Sequence, residues 1–473
     1  MMAADRDMAQ ETPERSGLCL PLNEVARLCG GELRGDDVPV FGVSIDSRTV
    51  APGNLFVAIR GENFDGHDFA RQALERGAAA AMIHQDAPGV LPALRVQDTR
   101  QALGRLAAGW RARFDLPLAG ITGSNGKTTV KEMLAAILAR RGPVLATRGN
   151  LNNDIGVPLT LLRLGGGHRA AVVEMGANHA GEIAYLAELA QPRLGLVTNA
   201  GPAHLEGFGS VEGVARAKGE LYAALPADGI AVINADDAFA GFWRGLAADR
   251  RVVTFGLEAG ADVGGRWQAG DLHTRLVITL PGAEVETRLA LPGRHNVMNA
   301  LAAAAAAWAL GAAPEDIAAG LAAVAPVPGR LRLLRGPAGM RILDDTYNAN
   351  PGSLAAALDV MASLPGRHWL ALGDMAELGG AADALHAEAG RLARARRVER
   401  LFAVGPQAGA AARAFGAGAE HLVNKAALAE AVARAAAPDV VLLVKGSRSM
   451  HMEEVVARLR AAAGAETTGE GAG

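Results

Sequence analysis

The chain has 473 residues, 50% of them hydrophobic and 21% charged, with a formal net charge of −3. Such a length holds roughly three domains of about 150 residues each, with ample material for full cores. The near-neutral charge excludes a general nucleic-acid or membrane-surface binder, so any phosphate binding must come from local sites.

Residues 1–17 are polar and lack an apolar run, which excludes a secretory signal there and predicts a disordered extension. A first block, 18–115, has short strands (GVSID, NLFVAI, AAAMI) and two helices, HDFARQALERGA and TRQALGRLAAGWRARF. Its cysteines, Cys19 and Cys29, fit no metal spacing and no CxxC, leaving core filling or a thiol pair in a reducing compartment. Its loops collect Ser47, Arg48, Arg60, Asn63, Asp65 and His67, by themselves only a polar cluster. A second block, 116–328, opens with the strand LPLAGIT, a glycine-rich loop and a helix to Arg140. The strands AAVVEM, LGLVTN, GIAVIN and RVVTFG follow, alternating with helices, which predicts a mostly parallel sheet. Residues 261–291 alternate polar and apolar, like an antiparallel addition, before a helix from Asn296 to Leu310 and another to Val324. The apolar run from Leu301 is too short to span a bilayer and reads as a buried helix. APVPGR, ending at Arg330, reads as a linker.

The third block, 329–463, alternates strands (RILDD, HWLALGD, LFAVG, VVLLVKG) with alanine-rich helices. The last three strands end in glycine-containing loops, the carboxyl-end crevices where open α/β sheets bind ligands. Residues 464–473 are expected to be disordered. The fold class is therefore α/β in three domains: a small N-terminal α/β domain, a central domain with a P-loop-type, mostly parallel sheet, and a Rossmann-like C-terminal α/β domain.

Only five of the 47 basic residues are lysine: Lys127, Lys131, Lys218, Lys425 and Lys445. Arginine cannot serve as a compact point charge among phosphates, nor as an amine that loses its proton and reacts. Lys127 lies in TGSNGKTT, residues 122–129, between a strand and a helix. Backbone N–H groups there, from Gly123, Ser124, Asn125, Gly126 and Thr129, favour a polyphosphate. Lys127 would bridge the outer phosphates and Thr128 would ligate magnesium. The strict phosphate-loop pattern fails at one position, where Ile121 replaces the first glycine.

Glu174 ends the strand AAVVEM, where a carboxylate suits a magnesium site or is a plain strand-end acid. His204 follows another strand in TNAGPAHLEGFGS; alone it is more often structural than a ligand. Lys218, on the helix VARAKGELY, is either a solvated lysine or an amine near metal. A nearby dication disfavours the protonated form, and the neutral amine could add carbon dioxide to become a carbamate. Asn296 and Asn299, near a helix start, could cap it or hydrogen-bond a purine. Arg330 and DDTYNANP, residues 344–351, place polar groups where two domains meet.

Together these motifs resemble one family, the Mur ligases, which use ATP to build the peptidoglycan stem peptide. The resemblance rests on TGSNGKTT, Glu174, HLEGFGS followed by AKGE, HNVMNALAA, PGR and DDTYNANP, and covers nearly all of residues 18–463. NLNNDIGVPLTLLRL, EMGANHAGEI, GDMAELG and VKGSRSMHMEEVV are similar to the member that adds D-alanyl-D-alanine to UDP-N-acetylmuramoyl-tripeptide. The diaminopimelate-adding member is expected to carry a DNPR motif in the third block, which this chain lacks. A folylpolyglutamate synthase would lack the first block. A P-loop switch or motor would lack the second metal site and the third domain's polar loops.

The resemblance implies an ATP-dependent, cytoplasmic, monomeric ligase with two magnesium sites and a carbamate on Lys218. Thr128 and Glu174 would ligate one magnesium, and His204 and carbamylated Lys218 the other; these four and Lys127 are the catalytic candidates. Asn299 would read adenine, and Arg330 and Asp345 would reach ribose and phosphates. Ser47, Arg48, Asn63, Asp65 and His67 would hold the UDP-sugar, with Asn150 and Asn153 beside the sugar-peptide. Asn348, Asn350, Lys445, Ser447 and Arg448 would lie towards the dipeptide. The three domains would bind UDP-sugar (18–115), ATP (116–328) and dipeptide (329–463).

Overall fold

The computed structural model describes residues 17–61, 64–85, 87–258, 260–270 and 273–469. The extension expected at 1–17 lies, apart from Gly17, outside the described residues, as does Asn63. The last helix, Glu453–Gly469, runs past Gly464, where the sequence reading starts the tail; residues 470–473 lie outside the described part. No helix among the described residues is long and apolar enough to cross a membrane. The chain divides into two compact units: one runs to Leu118 with Gly142–Val173 and Glu188–Gln191, the other is Ala119–Arg141, Glu174–Ala187 and Pro192 onward.

In the first unit a five-stranded sheet runs Glu32–Arg34, Ala93–Arg95, Ala80–Ile83, Leu55–Val57, Val43–Ser44. The two strands Leu55–Val57 and Ala80–Ile83 are buried at every position and pair in parallel. That fits a sheet covered on both faces, where strands read as continuous apolar runs. Phe56, Ala81, Ile83 and Ala93 pack with Ala70 and Ala73 of the helix Ala70–Glu75. Cys19–Pro21 and Pro39–Phe41 form a separate antiparallel pair. Asp98 caps the helix Thr99–Arg111 by accepting from the Arg100 and Gln101 N–H groups.

In the second unit, parallel strands within Leu118–Thr122, Leu194–Val197, Ile230–Asn234 and Arg251–Phe255 lie side by side, with Val197 opposite both Thr122 and Ile233. All four carboxyl ends point the same way, and the loops after Thr122 and Val197 supply site residues. The residues at 261–291 are antiparallel, as expected: Gly264–Ala269, Thr274–Leu280 and Ala283–Leu289.

The third block forms a six-stranded sheet in the order Arg332–Arg335, Arg341–Asp345, Val440–Lys445, Arg367–Gly373, Arg400–Val404, Ala419–Leu422. The first pair is antiparallel and the rest parallel. Period-two alternation sends Leu343, Leu370, Leu372 and Leu443 into one core and Ile342, Trp369, Ala371 and Leu442 into another. Both faces are therefore covered by helices. The two outer strands have no counterpart in the sequence reading: RLLR and AEHL are short, half-exposed edges without a clear apolar run.

Candidate functional site

The loop between Thr122 and the helix Lys127–Leu138 needs its glycines. Gly123 and Gly126 have φ of 143° and 84°, left-handed values that L side chains rarely adopt. A Cβ on Gly126 would stand 2.3 Å from Asn299 Oδ1, and one on Gly123 would stand 1.9 Å from Thr198 Oγ1. The neighbouring strand end braces the loop: Ser124 N–H donates to Asn199 O (3.0 Å), Asn125 N–H to Asn199 Oδ1 (3.0 Å), and Thr198 Oγ1 to Asn125 O (2.6 Å). The first N–H groups of the helix face the loop without intrahelical acceptors, a ready site for anions. Lys127 Nζ folds back onto Gly123 O at 2.6 Å. Burial pulls its ammonium below the ordinary lysine value, with Glu174 opposing and Arg330 reinforcing the shift.

Beside this loop Thr128 Oγ1 donates to Glu174 Oε2 at 2.9 Å and accepts from Arg330 at 2.8 Å. Thr128 and Glu174 are buried, and the Arg330 guanidinium stacks on the Tyr347 ring, 4.2 Å from its centre. A buried hydroxyl and carboxylate are hard oxygen donors of the kind magnesium takes. Asn299, also buried, receives no cap role: its Nδ2 donates to Asn296 Oδ1 at 3.2 Å, and Asn296 donates to Pro292 O at 2.8 Å.

His204 sits at a left-handed position, φ 54°, ahead of the short helix Leu205–Phe208. Lys218 lies on the next helix, Val211–Ala223, and is 1% exposed. Its Nζ makes one long hydrogen bond, 3.4 Å to Ala177 O, and faces the Phe208 ring at 5.3 Å. The His204 ring also meets Phe208, at 6.4 Å between centres. Burial brings the Lys218 amine down to about 7, with repulsion from Lys127 adding and Glu182 and Glu220 opposing. A neutral, nucleophilic amine is therefore well populated at neutral pH.

The third block brings Asn350 to the phosphate loop and carries a further set of polar groups of its own. Asn350 caps the helix Pro351–Ala362 through a reciprocal pair with Ser353, and its Nδ2 donates to Asn125 Oδ1 at 2.9 Å. Lys445, buried at a strand end, pairs with the Asp345 carboxylate and donates to Asn348 O at 2.8 Å. Ser447 is buried beside Asp374, whose carboxylate accepts from the Gln407 and Ala408 N–H groups. Arg448 is exposed and donates to Glu453 at 2.9 Å. A cavity of about 360 Å³ is lined by Glu206, Asp374, Glu377, Gln407, Ser447 and Ser449, with Leu378 and Met450 among its apolar walls.

Two groups here have no counterpart in the sequence reading. Glu377 contacts His204, and His295 feels the charges of Asp345 and Lys445. Both stood inside quoted motifs, GDMAELG and HNVMNALAA, yet a glutamate in a loop and a histidine at a helix start carry no signal until the fold supplies neighbours.

In the first unit, Ser47 is buried and donates to Gln72 Oε1 at 3.1 Å, while Arg48 is exposed and pairs with Asp46 at 2.8 Å. His67 is committed on both sides: its Nδ1 meets Asp65 at 2.6 Å and its Nε2 accepts the His84 N–H at 3.1 Å. Asn153 caps the helix Gly156–Leu161 by accepting from Gly156 N–H at 2.9 Å, and Asn150 is exposed just before it.

Three family models match in chain order: the Mur ligase family catalytic domain over 39–111, the Mur ligase middle domain over 121–307, and the Mur ligase glutamate ligase domain over 329–448. The UDP-N-acetylmuramoyl-tripeptide–D-alanyl-D-alanine ligase of Escherichia coli is 45% identical over 450 residues, which is 94% of this chain and 99% of that protein. The Bacillus subtilis ligase of the same name is 35% identical over 92% of this chain and 97% of its own length. Among solved structures, MurF from Acinetobacter baumannii superposes with a TM-score of 0.89 at 35% identity, covering 94% of this chain and all of that one. MurF ligase from Thermotoga maritima, in complex with ADP, does so at 0.79 with 27% identity, covering 90% and 98%.

Proposed function

The chain belongs to the Mur ligase family, and on that premise we propose that it uses ATP to join D-alanyl-D-alanine to UDP-N-acetylmuramoyl-tripeptide, a step of peptidoglycan precursor synthesis. The near-full-length identity to ligases of that name supports the substrates. The buried Thr128–Glu174 pair at the phosphate-loop helix carries the chemistry. The tripeptide's terminal carboxylate attacks the γ-phosphate, releasing ADP and leaving an acyl phosphate. The dipeptide amine then attacks the acyl carbon, loses its proton, and phosphate departs from the tetrahedral intermediate. Alignment of reactants and exclusion of water from the acyl phosphate are the protein's main tasks.

In this reading residues 18–115 form the UDP-sugar domain, 116–328 the ATP domain and 329–463 the dipeptide domain, acting as a cytoplasmic monomer. Gly123 to Thr129 cradle the phosphates and Lys127 offsets their charge. Asn299 faces adenine; Arg330 and Asp345 reach ribose and phosphates. Ser47, Arg48, Asn63, Asp65 and His67 serve the UDP-sugar, and Asn150 and Asn153 the sugar-peptide. Asn348, Asn350, Lys445, Ser447 and Arg448 serve the dipeptide side. Thr128 and Glu174 would hold one magnesium, and His204 and Lys218 a second; bound there, such cations would supply positive charge to offset that of the transferring phosphoryl group. Among the described residues no three His, Cys, Asp or Glu side chains are grouped to hold a metal. A second cation at His204 would take an anionic oxygen from Lys218 as its carbamate, formed when the neutral amine adds carbon dioxide and releases one proton. The depressed Lys218 value supports that modification.

The test is ADP release from the purified chain with UDP-N-acetylmuramoyl-tripeptide, with and without D-alanyl-D-alanine. Release is expected only with both substrates. Release that ignores the dipeptide, or is matched by free amino acids, would overturn the reading.

A further inference from the structure

The loop after the strand Arg367–Gly373 supplies Asp374, Ala376, Glu377 and Leu378 to the cavity of about 360 Å³, and the helix Ala382–Ala395 supplies Ala382. A loop without regular backbone pairing holds its shape through other partners. Asp374 gives two of them: its carboxylate accepts from the Gln407 and Ala408 N–H groups, and its carbonyl accepts from Ser447 N–H at 2.9 Å. The next residue, Met375, is fully buried, so its N–H must find a partner inside the protein. It donates to Nε2 of His386 at 2.9 Å. His386 is also fully buried, one turn along the helix from Ala382, and its Nδ1 lies 2.7 Å from Ala382 O. Because Nε2 accepts from a backbone N–H, the ring proton sits on Nδ1 and donates to Ala382 O. The imidazole thus bridges two walls of the cavity, loop and helix, with both nitrogens used. That helix is itself pressed on its neighbour: a Cβ on Gly390 would stand 2.1 Å from Ala411 O of the helix Ala408–Phe415, at whose start Asp374 is bound.

We propose that His386 is a positioning residue for the acceptor dipeptide: it fixes the loop 374–378 against the helix Ala382–Ala395, and so governs affinity for D-alanyl-D-alanine without touching it. The cavity has the size of a small-ligand site. Its polar groups, set beside the apolar walls Leu378 and Met450, suit a short peptide with methyl side chains. An aliphatic residue at 386 would leave the Met375 N–H buried and unpaired, and the loop would shift to satisfy it. The ATP side keeps its own supports, since the phosphate loop is braced by Thr198, Asn199 and Asn350. The proposal rests on the ligase reading given above, with the dipeptide as occupant of this cavity.

The experiment compares full-length His386→Ala, His386→Asn and His386→Gln with the wild type by ADP release. Glutamine reaches the place of Nε2 and offers an acceptor to Met375 N–H. Asparagine reaches only the place of Nδ1 and keeps the Ala382 bond. His386→Ala and His386→Asn are expected to raise KM for D-alanyl-D-alanine roughly 10-fold, the scale of one buried N–H left unpaired, with KM for ATP unchanged. His386→Gln should restore most of the affinity. If the alanine variant does not fold, the comparison of asparagine with glutamine decides. Isotope-labelled histidine NMR gives a readout independent of turnover: the His386 signal, identified by its loss in His386→Gln, should show the proton on Nδ1. A proton on Nε2 would overturn the bridge. A dipeptide KM unchanged in every variant, or rising together with KM for ATP, would overturn the positioning role. A wild type that releases no ADP would overturn the ligase reading, and with it the dipeptide as occupant, while the Nδ1 proton would still report the bridge.

Discussion

Thr128 Oγ1 is gripped by Glu174 at 2.9 Å and Arg330 at 2.8 Å, whereas among the described residues the Lys218 amine meets a carbonyl at 3.4 Å and an aromatic face at 5.3 Å. The phosphate loop is braced by a neighbouring strand end and by Asn350 of the third block. The His204 and Lys218 side is built from left-handed residues and a buried amine with little to bind. A well-satisfied buried polar cluster stabilises the fold. A poorly satisfied one is where structure is given up for chemistry. The braced side should therefore contribute more to stability, and the loose side should cost turnover alone when altered.

The sharpest way to break that contrast is Lys218. Lys218→Ala should be nearly inactive, and Lys218→Arg no better, since arginine keeps a positive charge but cannot form a carbamate. Acetate should partly restore the alanine variant by occupying the vacated space. Thermal stability should hold or rise, because a buried, weakly bonded amine is removed. Full activity in Lys218→Arg, measured by ADP release, would show that the site wants only a positive charge.

His204→Ala and Glu174→Gln should each lower turnover by roughly 10²-fold or more, the scale of losing one support for transition-state charge. The two should differ in stability. His204→Ala keeps a Cβ at the left-handed position and removes a partly exposed ring, so it should leave Tm nearly unchanged, while Glu174→Gln disturbs a buried bond to Thr128 and should lower it. Near-full activity in either at saturating magnesium would remove that residue from the metal assignment.

The braced side was the more legible in sequence, for a physical reason. A phosphate loop is local: Gly123, Gly126, Lys127 and Thr128 fall within six positions, and the turn they need is written in their own residues. Glu174 stood out in sequence as a carboxylate closing an apolar run, with a magnesium ligand and a plain strand-end acid both open. The strands of the third block were legible from apolar runs buried on both faces, such as VVLLVK, and the edges RLLR and AEHL were not. Contacts bridging distant segments were beyond a linear reading. Arg330 to Thr128, Asn350 to Asn125 and Glu377 to His204 join residues whose types alone fit a dozen roles.

His295 gives the smallest and most specific test of the braced side. It stands at the start of the helix Arg294–Ala309, and a Cβ on the adjacent Gly293 would be 2.5 Å from Val360 of the third block. Burial depresses its imidazole to about 4 from an ordinary value of 6.5; Asp345 and Asp359 pull it up and Lys445 pushes it down. The folded chain thus holds the ring neutral where the unfolded chain would protonate it. Above pH 6.5 both states are neutral and the ring exerts no pH-dependent effect. As pH falls from 6.5 towards 4 the unfolded state binds the extra proton, so stability is lost across that window. The loss is on the order of 1–3 kcal/mol, which is roughly 5 °C in Tm for a domain of this size. His295→Gln carries no titrating ring and should lose less over the same window, with carboxylates common to both proteins cancelling in the comparison. Parallel Tm-against-pH curves for the two proteins would show that the ring is solvated in both states. The seam between the helix Arg294–Ala309 and the third block would then not hold the ring neutral in the folded chain.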